Sequence, residues 1–172
     1  MVAGLATTAL ATEQIPDTIE LDGQTRPLYT EPLGTWLDDP AHWATFRELV
    51  QLSPKPCTGN WRGYRAAWRL HAGRLQLRRL VRDACAQNPP EVPLRVLFPG
   101  REGAIDADWY SGTLVVPLGE AGGNTRMGDS TRFPRYALVR IAAGREVERH
   151  EVTQAELDAE RQRERAARES AR

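Results

Sequence analysis

The sequence predicts an α+β fold: an antiparallel β-sheet built of hairpins, with one packed amphipathic helix and a polar C-terminal helix. Three observations carry that expectation. The stretch Trp61–Leu80, WRGYRAAWRLHAGRLQLRRL, sets Tyr64, Ala66, Trp68 and Leu70 against Arg65, Ala67, Arg69 and His71, and Leu75 and Leu77 against Gln76 and Arg78. Such alternation marks strands with one buried and one wet face, and Gly73 at the bend supplies the positive φ of a short hairpin loop. Turn signals at Asp22-Gly23 and Ala143-Gly144, each between β-prone arms, predict further hairpins. Finally, Trp43, Phe46, Leu49 and Val50 recur at helical spacing behind Asp38-Asp39-Pro40, an acidic N-cap followed by proline at the first helical position.

In chain order, residues 1–16 are small and Ala/Thr-rich and read as a flexible leader. Thr18–Leu21 and Arg26–Tyr29 form an opening hairpin around Asp22-Gly23, broken by Glu31-Pro32-Leu33-Gly34. The amphipathic helix runs from Pro40 to about Leu52, where Ser53-Pro54-Lys55-Pro56 ends it. After the central hairpin, Val81–Asn88 reads equally as a strand continuation or a helical turn. Val92, Leu94, Val96 and Phe98 alternate as a strand that Pro93 either demotes toward an edge or limits in where it pairs. In Asp106–Gly119, DADWYSGTLVVPLG, the Ser111-Gly112 pair predicts a tight hairpin joining Asp108-Trp109-Tyr110 to Thr113–Val116. Glu120–Phe133 is a glycine-rich polar loop, and Tyr136–Ile141 with Glu146–Val152 makes the last hairpin. Thr153-Gln154-Ala155-Glu156 is a capping-box sequence opening a helix that is polar almost all round. The organisation expected is a single β-rich domain over residues 17–152 and a charged, solvated helix or tail over 153–172.

Composition narrows the function classes. The 172 residues carry 23 basic and 23 acidic side chains, for a net charge of zero. Nucleic acids and anionic membranes both reward excess positive charge, so neither is an expected general partner. No apolar run approaches the roughly 20 residues of a spanning helix. All basic residues but Lys55 are arginines, groups that pair bidentately and stack on aromatics. Cys57 and Cys85 fit neither a disulfide framework nor a metal motif, and a single bridge between them stays open. The N-terminal stretch lacks the charged and strongly apolar regions of a signal peptide, so the expected compartment is the cytoplasm, with both thiols reduced.

Candidate sites follow from residue chemistry. Asp106 and Asp108 are the nearest approach to a catalytic or metal pair, since alternate carboxylates can hold a divalent cation or divide acid and base roles. Loop aspartates more often cap turns. Trp109 and Tyr110 would wall a pocket beside them, and the loop from Gly119 to Gly128, which contains Arg126, offers backbone amides to an anion without matching a phosphate-binding motif. His42, His71 and His150 have no ligand spacing and read as surface residues. Arg62, Arg65 and Arg69 make the central hairpin locally basic, and with Trp61, Tyr64 and Trp68 nearby they suggest contacts to single-stranded nucleic acid. The alternation instead sends Tyr64 and Trp68 to the core and the arginines to water, a possible partner surface. No motif implies a cofactor.

The pattern W-R-G-Y-x-A-x-W-x-L (Trp61–Leu70), then A-D-W-Y-S-G-x-L-x-V-P-x-G (Ala107–Gly119), Met127-Gly128 and a strand containing Tyr136 resembles a family of small uncharacterised bacterial proteins. The resemblance spans residue 61 to about 147. It implies a shared β-rich fold and brings no activity, cofactor or catalytic residue with it. The leading functional expectation is therefore a non-enzymatic interaction protein, for example a toxin-neutralising, immunity-type partner of another protein. The alternatives are a small metal-dependent enzyme or ligand-binding domain with a pocket near Asp106 and Asp108, and nucleic-acid binding through the hairpin arginines.

Overall fold

The computed structural model of the chain describes residues 13–52, 57–122 and 132–170. It opens with β1 (Asp17–Leu21) and β2 (Gln24–Leu28), then α1 (Pro32–Leu37) and α2 (Pro40–Val50). The central hairpin is β3 (Tyr64–His71) and β4 (Arg74–Arg82), followed by β5 (Glu91–Val92), α3 (Leu94–Leu97) and β6 (Ile105–Asp106). Strands β7 (Gly112–Leu118), β8 (Arg135–Ala142) and β9 (Arg145–Thr153) lead into α4 (Gln154–Ser170). The fold is α+β with a mostly antiparallel sheet, as expected from the sequence.

The three hairpins turn at the dipeptides read from the sequence, with positive φ at both residues: Asp22 and Gly23 (51° and 76°), Ala72 and Gly73 (49° and 70°), Ala143 and Gly144 (45° and 74°). This backbone matches the right-handed twist of the flanking strands. In the central hairpin the register shifts between Ala67 and Trp68, which face Arg79 and Leu77, so Arg78 is an extra residue in β4. The bulge explains why the β4 residues of the main core run Leu75, Leu77, Leu80: after an odd step they return to the core face.

The strand order is β2-β1-β3-β4-β9-β8-β7, with β1 parallel to β3, and β5 and β6 paired to β4. The ends of this path meet. The Tyr29 N–H donates to the Val115 carbonyl at 3.5 Å, and the Val115 N–H donates to Thr30 Oγ1 at 3.2 Å. The sheet thus curls around a core that includes Ile19, Trp68, Leu75, Leu77, Ile105, Leu114 and Val139, closed by Leu33 of α1 and Phe46 of α2. Strand β8 is covered on both faces: Ala137, Val139 and Ile141 join that core, while Tyr136 and Leu138 pack with Leu157 of α4.

Several expectations need correction. Glu31–Gly34 does break the opening hairpin, but the break continues into a short helix not expected from the sequence, α1. Residues 92–98 are not one alternating strand: pairing stops after Val92, and Pro93, with a fixed φ and no N–H, becomes the N-cap of α3. Ser111-Gly112 does not turn a local hairpin, because β6 pairs with β4 while β7 pairs with β8. The apolar arc of α2 buries Phe46 and Val50, and its flanks, Trp43 and Leu49, remain 37% and 44% exposed. Val81–Asn88 resolves as strand to Arg82. Residues 14 and 15 of the leader are tied down, the Ile15 N–H donating to the Gly59 carbonyl at 2.7 Å and Gln14 Nε2 to the Thr58 carbonyl at 2.9 Å. Cys57 and Cys85 form a disulfide rather than staying reduced. Their loops lie side by side, with the Asp83 N–H donating to the Gly63 carbonyl at 2.8 Å. Residues 1–12, the segment Ser53–Pro56 and Arg126 with Met127 and Gly128 lie outside the described residues. No helix among the described residues is long and apolar enough to cross a membrane.

Candidate functional site

The Asp106–Tyr110 motif is built into the fold. Asp106 accepts from Arg74 Nη1 and Gln76 Nε2, each at 2.8 Å, so each carboxylate oxygen has a donor on β4. Asp108 reaches Arg74 only at 3.8 Å and is exposed. Trp109 stacks on Phe98 with ring centroids 5.4 Å apart and donates Nε1–H to the Pro32 carbonyl at 3.1 Å, tying α1 and α3 to this turn. Trp36 and His42 extend the same aromatic cluster, stacked at 4.2 Å, and His42 is half-buried rather than on the surface. Burial raises the Tyr110 phenol above its usual value. The turn also staples two hairpin tips: the Ala107 N–H donates to the Leu75 carbonyl and the Gly144 N–H to the Tyr110 carbonyl, both at 2.9 Å. Among the described residues no group of three His, Cys, Asp or Glu side chains could hold a metal ion.

The arginines taken together in the sequence are separated in space. Arg62 leaves the outer face and meets Asp17 at 3.2 Å and Glu31 at 3.4 Å. Asp17, 1% exposed, also accepts from the Ala66 N–H and the Trp68 indole N–H, each at 3.0 Å. Burial raises the Asp17 carboxyl above the ordinary range, opposed by Arg62 and these donors. Tyr64, with Arg62 5.0 Å from its ring centroid, is raised as well, again chiefly by burial. Arg62 lines a cleft of about 380 Å³ that also contains Tyr136, Asp158 and Arg161. Its charges are largely matched, Arg132 facing Asp158 at 3.6 Å. Arg65 sits half-buried in β3 opposite Val81.

Arg69 belongs to another place, an open groove of about 590 Å³ against α3, where it joins Arg78, Arg95 and Arg101. Its Nη2 donates to Gln76 at 2.8 Å, and its Nε has no acceptor among the described residues. Sequence reasoning missed Arg95 and Arg101, because only α3 and the turn after it bring them to the hairpin.

Another exposed feature is the loop before β3. Trp61 is 66% exposed. The loop beneath it is braced by the Cys57–Cys85 bridge, by its own N–H donating to Gln14 Oε1 at 2.8 Å, and by Asn60 Nδ2 donating to the Tyr64 carbonyl at 2.9 Å. The loop thus holds a large indole in an exposed position.

Fold and surface together define an α+β domain with a curled sheet, an exposed tryptophan on a braced loop and a groove lined by arginines. No family model, no curated protein and no solved structure matches the chain.

Proposed function

We propose that the chain is a non-enzymatic protein-interaction module that contacts its partner through Trp61. The observation that carries this reading is the exposure of that indole on a loop fixed by a disulfide, by the Trp61 N–H donating to Gln14 and by Asn60 donating to the Tyr64 carbonyl. Tryptophan is among the residues that dominate interface energetics, and a loop ordered in advance loses little entropy on binding. The use of Asp106 as a structural acceptor favours binding over a metal-assisted reaction at that motif. Neutralisation of a toxin is the specific form of this role that suits a small, arginine-rich domain, and a toxin gene beside this one would support it. The disulfide suits an oxidising compartment rather than the cytoplasm, and thiol counting on protein isolated under alkylating conditions decides between them.

The test is affinity. For a partner captured by cross-linking and then purified, Trp61→Ala is expected to weaken binding by about thirtyfold, roughly 2 kcal/mol, without changing thermal stability. Equal affinity of the variant and the parent chain would remove Trp61 from the interface and this reading with it.

A further inference from the structure

We infer that the groove between the central hairpin and α3 is a binding site for a carboxylate-rich peptide segment. Four arginines line it, Arg69, Arg78, Arg95 and Arg101, against two glutamates, Glu91 and Glu102. Glu91 is already held by Arg79, outside the groove lining, at 2.7 Å. Arg78 is only 4.0 Å from Glu20, a loose pair at the rim. Arg95 and Arg101 are exposed and have no side-chain hydrogen bond or ion pair among the described residues. The groove therefore presents more guanidinium donors than its own acids occupy.

Guanidinium groups pair bidentately with carboxylates and with phosphates alike, so the rest of the lining decides between them. Pro93, Leu94 and Ala104 supply its apolar part, and none of its lining residues is aromatic. Single-stranded nucleic-acid sites combine positive charge with rings on which bases stack, and this groove offers no such platform. The chain's zero net charge also withholds the long-range attraction that nucleic-acid binders use. An extended acidic peptide needs only what is present: donors for its carboxylates and small apolar side chains beneath its backbone. This inference rests on the interaction reading but not on Trp61.

A fluorescently labelled oligo-glutamate peptide, followed by anisotropy, tests it on the full chain. The expected result is saturable binding that weakens as salt rises, and that is about tenfold weaker in the Arg95→Gln/Arg101→Gln double variant. Glu102→Gln should bind more tightly, a change of sign that partial unfolding cannot mimic. Arg163→Gln on α4 controls for overall charge and should leave binding unchanged, as should Trp61→Ala, which separates this site from the proposed contact loop. Absence of binding, equal weakening by Arg163→Gln, no gain in Glu102→Gln, or tighter binding of a labelled oligothymidylate would each overturn the inference, the last in favour of nucleic acid.

Discussion

Gly144 shows how much a single position can carry. Its φ is +74°, and a Cβ built there would lie 2.8 Å from the Ala107 carbonyl oxygen and 2.9 Å from the carbonyl carbon, both backbone atoms. Gly73, in the equivalent turn of the central hairpin, has φ +70° and nothing within 4 Å of such a Cβ. The two positions thus separate backbone conformation from close approach. Gly73→Ala should cost only the left-handed penalty, about 1 kcal/mol. Gly144→Ala adds displacement of the Ala107–Tyr110 turn and should cost at least about 2 kcal/mol more. Urea unfolding of both variants checks the difference, and equal losses would mean that the turn yields freely. Asp17 illustrates a residue whose role no local pattern could reveal. Its donors, Arg62, Ala66 and Trp68, come from the far side of a parallel strand pairing, so only the assembled sheet shows that this acid is buried.

At the scale of elements, legibility tracked locality. The three hairpins were readable because the glycine dipeptide and the alternating arms lie within a few residues of each other. The β7 partner was misassigned because alternation tells which face a strand buries and not which strand it pairs with; Val116 faces Ala137 of β8, not a neighbour across Ser111-Gly112. Likewise Leu94, Val96 and Phe98 fit a strand by spacing, yet only Leu97 of that stretch is fully buried. Of the candidate site, the basic hairpin was visible but its division between cleft and groove was not, because Arg62 lies outside β3 and follows the chain toward Asp17. The C-terminal helix was read correctly at its start. Glu156 accepts from the Thr153 N–H at 2.7 Å and from the Thr153 hydroxyl at 2.8 Å, while its own N–H donates back to Thr153 Oγ1 at 3.3 Å. What charge patterning hid is that Leu157, 3% exposed, docks the first turn on Tyr136 and Leu138. The Thr153 N–H, then the Thr153 hydroxyl, hold the Glu156 carboxyl below the usual glutamate range. A carboxylate depressed on folding contributes stability that is present above its unfolded value and lost as pH falls through its folded one. The start of α4 should therefore loosen in acid, below the pH at which free glutamate titrates. The Thr153 amide proton shift, followed by NMR, should titrate with a midpoint under the ordinary glutamate value; a midpoint at or above it would contradict the capping geometry.

At the scale of the whole molecule, the Cys57–Cys85 bridge is the covalent link between the loop that enters the central hairpin and the segment that leaves it, 28 residues apart in sequence. Closing a loop of that length removes chain entropy from the unfolded state worth about 3.5 kcal/mol. The native neighbourhood does not depend on the bridge alone. Asp83 donates to the Gly63 carbonyl, Ile15 to the Gly59 carbonyl and Gln14 to the Thr58 carbonyl. The strands on either side, Tyr64–His71 and Arg74–Arg82, keep their own ladder. Reduction should therefore lower global stability by up to about 3.5 kcal/mol while the sheet persists, and should loosen residues 57–63, which have no strand ladder of their own. Three measurements on the Cys57→Ser/Cys85→Ser variant separate these effects: the urea midpoint should fall, the far-ultraviolet circular dichroism should stay unchanged, and hydrogen exchange should quicken at the Gly59 to Gly63 amides ahead of those in β3. Because Trp61 rides on that loop, the same variant should bind the partner more weakly than the parent chain, through the entropy of ordering the loop anew. An unchanged urea midpoint would show that the bridge contributes nothing to the fold. Unchanged partner affinity together with faster exchange would show that the rigidity of the loop is not what presents the indole.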